Sequence, residues 1–309
     1  MLQSFQIVGT QVLILFILIA LGFLAGKIKI FGQEGIKSIN NLMLYIVSPC
    51  VIVNAFQREF DILMLRNLLL SMLAGLISHA LCYLFGFLLI KNKDTSKQSI
   101  LRFAGVFSNC GFMALPLADA LLGSEGVFYA SGYLAVFNLV VWTVGQYQMG
   151  KGQPNFAVRN AFINPNVIAV VIGLLFFFTS FKLPELIAVP VEYLAALNTP
   201  VPMLIIGYTI STQKLGQIVR IKEEIVPILI RLVIGPLSLL GIMYLLGVRG
   251  ALLTAVTISA SSPVAAITAM FAIKFNKDEK LGSKMVMVST VFSLITMTLI
   301  VGFANYISG

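Results

Sequence analysis

Apolar segments about 20 residues long recur along the chain, and short polar stretches separate them. A helix of that length crosses the hydrocarbon core of a bilayer and satisfies its own backbone hydrogen bonds there. The period-two alternation of membrane barrel strands does not occur in these segments. The pattern therefore predicts an all-α polytopic membrane protein. Its ten predicted spans are residues 5–26, 36–56, 63–90, 99–122, 127–149, 165–181, 186–211, 224–246, 251–275 and 281–307.

Composition excludes a soluble protein. Of the 309 residues, 59% are hydrophobic and 11% are charged, whereas a soluble domain carries about 25% charged residues. Cys50, Cys82 and Cys110 all fall within apolar spans, at no spacing typical of a disulfide or a metal site. We therefore expect small buried residues at these positions, and neither a metal nor a cofactor.

The positions of the basic residues predict the orientation. A net charge of +9 first suggests nucleic acid, but lysine and arginine also collect on the cytoplasmic loops of membrane proteins. If both termini lie outside the cytoplasm, 16 of the 21 lysines and arginines fall in cytoplasmic segments and four in outer ones, while Arg231 lies inside span 8. This alternation favours ten spans with both termini outside, and no nucleic-acid partner.

Ten spans divide into two halves of five, residues 1–149 and 161–309, joined by a short polar cytoplasmic linker at 150–160. Because five is odd, the second half must be inverted relative to the first. Inverted repeats are typical of transporters, whose site lies near the membrane midplane between the repeats. Polar interruptions correspond between the halves: SPC in span 2 with NTPVP in span 7, and SNCGFMALP in span 4 with ISASSPVAA in span 9.

Spans 4 and 9 are predicted to be broken helices. Pro116 and Pro263 each remove a backbone donor, and Gly111 adds backbone freedom. A break exposes the N-terminal end of a half-helix, where unpaired N–H groups and a positive dipole end suit an anion. The alternative is that the prolines merely kink packed helices. The candidate substrate-binding residues are Asn109, Cys110, Gly111, Pro116, Ser261, Ser262 and Pro263.

Spans 2 and 7 supply a second set of candidates, for support or gating of the site. Serine, asparagine and proline in these spans could line the site, or could let the helices bend around the bundle. The candidates are Ser48, Pro49, Asn198, Pro200 and Pro202.

Ionisable residues inside the spans are candidates for ion or proton coupling. These are His79, Asp119, Glu192 and Arg231. His79 could relay protons, or could be a neutral residue satisfied by a neighbouring helix. Arg231 could bind an anion or snorkel to the cytoplasmic face. Asp119 and Glu192 could bind a cation or proton, or could pair locally or face a vestibule.

Enzyme motifs are missing from the sequence. A single histidine leaves no histidine cluster for a metal. Neither a Walker motif for ATP-driven pumping nor an HExxH protease motif occurs. The sequence therefore predicts a protein that is not an enzyme.

The motifs, in their order along the chain, resemble those of the auxin efflux carrier family. SNCGFMALP followed by ALLG is similar to the fourth helix of that family, and SSPVAAITAMFAIKFN at 261–276 is similar to its ninth-helix crossover. VMVSTVFSLITMTLI at 286–300 resembles its last helix, while NPNV at 164–167 and NTPVPMLIIG look like bacterial members.

This resemblance covers nearly the whole chain and implies a ten-helix bundle with scaffold and transport parts, crossed helices 4 and 9, and an elevator-like movement. It also implies export or exchange of organic anions, with Asn109, Pro116 and Pro263 at the crossover. The chain lacks the long central hydrophilic loop of plant carriers, and Arg66 and His79 do not reproduce the Asp/Lys pair of their third helix. The resemblance therefore favours a bacterial carboxylate carrier of the plasma (inner) membrane over an auxin carrier.

These inferences predict a secondary transporter of small organic anions in the lipid bilayer, for mono- or dicarboxylates such as malate or malonate, or auxin-like acids. One alternative is a sodium symporter resembling the bile acid carriers, with Asp119, Asn109 and the serines of span 9 as sodium ligands. A second alternative is a membrane sensor that binds its ligand without translocating it. Proton or sodium coupling, and a homodimer packed through a GxxxG-like face, are left open by the sequence.

Overall fold

The computed structural model describes residues 2–30, 32–150, 163–212 and 222–308, so the predicted linker at 150–160 lies almost wholly outside the described residues. All regular secondary structure in these ranges is helical, apart from one isolated β-bridge. An all-helical membrane protein was predicted, and the described part of the chain agrees.

The first half of the chain forms five helical segments. They are α1 (Leu2–Lys27), α2 (Gln33–Ala55), α3 (Ile62–Leu89), α4 (Thr95–Val106) and α5 (Cys110–Met149). Asp61 and Asp94 start α3 and α4, because their carboxylates accept the Met64 and Ser96 backbone N–H groups, each at 2.8 Å.

The described residues of the second half form seven helical segments. They are α6 (Pro165–Thr179), α7 (Glu185–Ala196), α8 (Pro200–Ser211), α9 (Ile225–Leu245), α10 (Gly250–Ser261), α11 (Ile267–Lys274) and α12 (Glu279–Ser308). The Asn164 side chain caps α6 by accepting the Asn166 N–H at 2.9 Å, and Pro165 follows at the first helical position.

Seven helices of the described residues are long and apolar enough to cross a membrane, whereas α6 and α10 are shorter. Span 4 is split between α4 and the start of α5, and span 9 between α10 and α11. Span 7 is interrupted between α7 and α8, where Pro200 begins a new helix. The predicted boundary between spans 4 and 5 coincides with a kink at Gly123, whose φ of 61° and ψ of −154° suit glycine.

Helices α5 and α10 lie at the centre of the bundle. Every residue from Gly126 to Asn138 in α5, and from Leu252 to Ser261 in α10, is buried. Helices α5 and α12 both pack on α10, and α3 packs on α5. In contrast, α7 has no buried residue and lies on the outside.

A close helix pair joins the two halves elsewhere. Helix α1 packs along α8, and a methyl group at Gly207 would overlap the Ile19 carbonyl oxygen. Gly22 and Gly26, which form a GxxxG pattern in α1, face Leu204 and Ser211 of α8. This GxxxG face is therefore occupied within the chain and is not free to form a dimer.

Contacts at one end of the bundle link the connection after α2 to two other connections. Arg58 donates to the Ser124 hydroxyl at 3.0 Å, and Glu59 pairs with Lys182 at 3.5 Å. Burial lowers the pKa of the Arg58 guanidinium from its usual value. The connections after α2, near Gly123 and after α6 therefore lie on the same side.

Contacts at the opposite ends of the helices link the connection after α3 to the segment before α9. Asn92 donates to Glu223 at 3.2 Å, and Lys284 of α12 pairs with Glu224 at 2.5 Å. Burial by itself would raise the pKa of the Glu224 carboxyl, but hydrogen bonds from Lys284 and from the Lys222 backbone amide outweigh it. The pKa of Glu224 therefore lies below its usual value.

Candidate functional site

The two breaks meet and pair through their backbones. Ser108 and Val264 form an antiparallel bridge. The Asn109 N–H donates to the Pro263 carbonyl at 2.7 Å, and the Ala265 N–H donates to the Phe107 carbonyl at 2.9 Å. Backbone groups freed by a break inside a membrane need partners other than water, and here each break supplies them to the other. We call this pairing, with the four helix ends around it, the crossing.

Two prolines predicted to break the helices have different positions. Pro263 lies within the break and supplies the carbonyl that Asn109 bonds. Pro116, in contrast, follows the break and lies in helical structure, so the prediction of a break at Pro116 is wrong in detail. The preceding residues Cys110–Ala114 form a π turn, in which the Leu115 N–H reaches back to the Cys110 carbonyl. This wider turn accommodates a proline without a break.

Gly111 was expected to contribute backbone freedom, but it lies inside the π turn and is not among the residues with positive φ. A methyl group there would meet Leu134 at 3.7 Å, an ordinary contact. Cys110 is buried at the start of the same turn. Gly111 is therefore positioned near the crossing, but the structure does not require glycine at this position.

Asn109 is the predicted site residue that lies most directly in the crossing. It immediately precedes α5, is 6% exposed, and its side chain makes no capping hydrogen bond to that helix. Its backbone carbonyl accepts the Met113 N–H at 3.0 Å. Because neither the helix nor the bridge uses the side-chain amide, it can interact with a ligand at the N-terminal end of α5.

Ser261 and Ser262 are candidate substrate-binding residues because their hydroxyls can form hydrogen bonds. Both are fully buried, and their hydroxyls donate instead to the carbonyls of Thr257 and Ile258 in their own helix. A buried hydroxyl in an apolar interior needs an acceptor, and the carbonyl one turn back is the nearest. In this arrangement only their hydroxyl oxygens are available to a ligand, as acceptors.

Ser289 was missed as a site residue, although it belongs to the STVFS motif of the last span. Its hydroxyl oxygen accepts a hydrogen bond from the Val264 N–H at 3.0 Å, and the hydroxyl donates one to the Val286 carbonyl at 3.0 Å. A helix other than the crossing pair therefore satisfies a central amide of the second break. Sequence reasoning identified the serine as polar but had no signal for its partner.

Arg231 does not snorkel to the cytoplasmic face, and both of its Nη groups donate to backbone carbonyls rather than face an open site. It is 0% exposed within a π turn of α9. Its Nη1 donates to the Val106 carbonyl at 2.5 Å, and its Nη2 donates to the Ala260 carbonyl. The guanidinium thus contacts the C-terminal ends of α4 and α10, where carbonyls lack helical partners.

His79 lies beside the crossing, in α3. Its Nδ1 is 2.6 Å from the Gly75 carbonyl, and its ring packs 5.6 Å from Phe107 and 5.7 Å from Tyr133, measured between ring centroids. Nε2 is buried and has no hydrogen-bond partner among the described residues. His79 is thus bonded to its own helix rather than to a neighbouring one.

Asp119 and Glu192 are both exposed, Asp119 on α5 and Glu192 on α7. Asn109 and the two serines are buried in the crossing. The structure therefore does not bring Asp119 together with the other members of the predicted sodium site.

The candidates for support or gating separate into two groups. Helix α8, which begins at Pro200 and includes Pro202, contacts the π turn at Cys110–Ala114. Asn198, just before α8, is buried, and its Oδ1 has no hydrogen-bond partner among the described residues. Ser48 and Pro49 begin the second part of α2, which packs against α6 and α7. The span 7 residues therefore lie closer in the fold to the crossing.

A cavity of about 240 Å³ lies beside α4, on the side of its C-terminal end. Its lining residues are Tyr83, Gly86, Phe87, Arg102, Val106, Val144, Tyr147 and Gln148. None of the predicted site residues lines it, and it adjoins the crossing only through Val106.

Known proteins now define the class of this chain. The model of the membrane transport protein family (Mem_trans) matches residues 7–301, and the chain therefore belongs to that family. Its relatives are membrane transporters of the auxin efflux carrier type rather than enzymes. The resemblance drawn from the motifs of spans 4, 9 and 10 is thereby confirmed.

Three relatives illustrate the range of the family. An "Uncharacterized transporter" of Methanothermobacter thermautotrophicus is 27% identical over 93% of this chain and 95% of its own length. A "Putative malonate transporter" of Rhizobium meliloti is 26% identical over 93% of this chain and 92% of its own length. "Auxin efflux carrier component 6" of Arabidopsis thaliana is 27% identical, over 42% of this chain and 24% of its own length.

Proposed function

We propose that this chain is a secondary transporter that carries small carboxylates through the crossing. The observation that supports this proposal best is the paired break, because it leaves the N-terminal ends of α5 and α11 beside each other inside the bundle. Such ends carry unpaired N–H groups and about half a positive charge each. Asn109 adds a buried side-chain amide that the helix cap does not use.

Small dicarboxylates are the proposed substrate class. Membership of the family supports transport, and the name of the Rhizobium relative, which matches along nearly its whole length, favours malonate or a similar acid. The match to the plant auxin carrier component covers less than half of this chain. Auxin-like acids are therefore the second choice.

The proposed topology has ten spans in the plasma membrane, two inverted halves of five, and both termini outside the cytoplasm. Contacts between connections support it: the segment holding Arg58 and Glu59 contacts both the segment of Ser124 and that of Lys182, and all three are outer in this topology. The segments holding Asn92 and Glu223 are both cytoplasmic, and they also touch. Adding or removing a single span between two contacting segments would place them on opposite sides of the membrane.

Movement of an elevator type would carry the crossing relative to α8 and α1, which pack tightly on one another. In this proposal α1, α2, α6, α7 and α8 form the scaffold part, and the remaining helices carry the substrate. The contact between α8 and the π turn at Cys110–Ala114 would then lie on the sliding surface.

Uptake of radiolabelled malonate by proteoliposomes tests the proposal. We expect the wild type to accumulate malonate, and Asn109→Ala to reduce the initial rate at least tenfold, because the variant removes the free amide at the N-terminal end of α5. Asn67→Ala is the matched control, since Asn67 bonds the Tyr129 hydroxyl at 3.2 Å, away from the crossing, and its rate should stay within twofold of wild type.

The same vesicles distinguish the alternatives. Uptake measured with a sodium gradient, with a proton gradient and with neither identifies the coupling ion. Binding of malonate to the purified protein without any flux would show a sensor instead of a transporter. Normal uptake by Asn109→Ala would reject Asn109 as a binding residue, while leaving the transport function itself intact.

A further inference from the structure

Arg231 is a buried cation without a carboxylate partner in the described ranges. The two ion pairs of these ranges join Lys182 with Glu59 and Lys284 with Glu224. Burying an unpaired charge is costly, and such a charge is retained only where fixed groups of opposite sign surround it. Something else near Arg231 must therefore carry negative charge.

The negative charge is supplied by two helix ends. Val106 is the last residue of α4, and Ala260 is the last but one of α10. Each helix C-terminus carries about half a negative charge, so two such ends together match one guanidinium. The planar fork of arginine carries two Nη groups, one for each end, which a single ammonium does not offer. Water is not available inside the membrane to perform the same task.

Four helix ends meet at the crossing, and without Arg231 their charges would cancel. The C-terminal ends of α4 and α10 would contribute about −1, and the N-terminal ends of α5 and α11 about +1. With Arg231 present, the negative pair is neutralised and the positive pair remains. This step rests on the proposed function, because it concerns the binding of an anion.

We propose that Arg231 is the positioning residue of the crossing: it holds the C-terminal ends of α4 and α10 together and neutralises them, so that the crossing is electropositive towards an anion. It does so without touching the substrate. Two consequences can be measured separately, one on the backbone and one on transport.

Hydrogen exchange of the purified protein, followed by mass spectrometry, tests the effect on the backbone without any substrate. In Arg231→Gln, the C-terminal ends of α4 and α10 lose the side chain that holds them together, so the hydrogen bonds of the Asn109 and Ala265 amides should open more often. Exchange in peptides covering 107–113 and 262–268 should therefore rise at least tenfold. Exchange in α6 should not change. Arg231→Lys keeps the charge but loses the fork, and we expect a smaller rise confined to the same peptides.

Arg249→Gln is the matched control, because Arg249 also donates to backbone carbonyls at a helix end, those of Tyr244 and Val248. Its exchange at the crossing should equal that of wild type. If Arg231→Gln does not fold, Arg231→Lys decides alone. Unchanged exchange at the crossing in the folded Arg231 variants, or an equal rise throughout the protein, would overturn the proposal.

Transport kinetics test the electrostatic effect. In vesicles, Arg231→Gln should raise the KM for malonate at least tenfold, and Arg231→Lys should raise it less. The maximal rate per folded protein should change less than threefold in either variant. A lower maximal rate at unchanged KM would indicate a purely structural role and contradict the electrostatic effect. If even the wild type carries no malonate, the proposed function fails, but the exchange experiment still decides the effect on the backbone.

Discussion

Side chains on helices outside the crossing satisfy its backbone groups, and Ser289 of α12 allows the clearest test of this role. Its oxygen is the acceptor for the Val264 N–H at 3.0 Å. Ser289→Ala leaves that buried amide unpaired, which should lower the free energy of unfolding by about 1–3 kcal/mol. Thermal unfolding in detergent measures the loss.

Ser293→Ala is the matched control for this substitution. Ser293 is also fully buried in α12, but its hydroxyl donates only to the Thr290 carbonyl of the same helix. Removing it leaves one carbonyl that still has its helical partner, so the melting temperature should fall much less than in Ser289→Ala. Equal shifts in the two variants would contradict the role given to Ser289.

Residue types in the crossing could be predicted from the sequence, but their partners could not. Asn109, Ser261 and Arg231 stand out because polar groups in an apolar span are costly. Their hydrogen bonds depend on which helix end lies opposite, and that is set by residues far away in the chain. Arg231 therefore looked like an anion ligand or a snorkelling residue, whereas it contacts Val106 and Ala260.

Whole helices are held in register by close backbone contact, most clearly between α1 and α8. A methyl group at Gly207 would overlap the Ile19 carbonyl oxygen, so Gly207→Ala must push the two helices apart. We expect a destabilisation of about 1–3 kcal/mol, as for other overpacked sites, measured by thermal unfolding.

Gly241→Ala provides the comparison for this element. Gly241 lies in α9, and, apart from its own helix backbone, no atom of the described residues lies within 4 Å of the position its methyl group would take. This variant should be as stable as the wild type, or more stable by about 0.5–1 kcal/mol, because alanine favours a helix. Loss of stability in Gly241→Ala as large as in Gly207→Ala would show that close packing is not the cause.

Helix breaks were predictable where proline lies in the break and less so where it does not. Pro263 marks the second break directly. The first break is at residues 107–109, whereas its proline signal, Pro116, lies beyond a π turn that the sequence gives no means of foreseeing. Similarly, the kink at Gly123 was expected as a loop between spans, whereas span 7 was expected to bend or to line the site at NTPVP and instead ends there, with a new helix beginning at Pro200.

The arrangement of the whole molecule depends on which connections share a side of the membrane, and labelling can determine this. The three native cysteines would first be replaced by alanine, and single cysteines placed at Glu59, Lys93 or Ser308. An impermeant maleimide should then label Glu59→Cys and Ser308→Cys in intact cells. Lys93→Cys should react only after permeabilisation, because the predicted cytoplasmic segments carry most of the basic residues.

The three positions test different parts of this topology. Glu59 pairs with Lys182, and both belong to connections of opposite halves that are predicted to be outer, which is the arrangement that two inverted halves of five spans require. The Ser308 hydroxyl lies 3.3 Å from that of Thr254, near the start of α10, so the C-terminus should share the side of Arg249. If Lys93→Cys and Glu59→Cys are both labelled in intact cells, α3 does not cross the membrane. That outcome would contradict the alternation of basic residues between the two sides. If Ser308→Cys alone is protected in intact cells, the second half has one span fewer than predicted. The two halves would then not be inverted repeats of five spans.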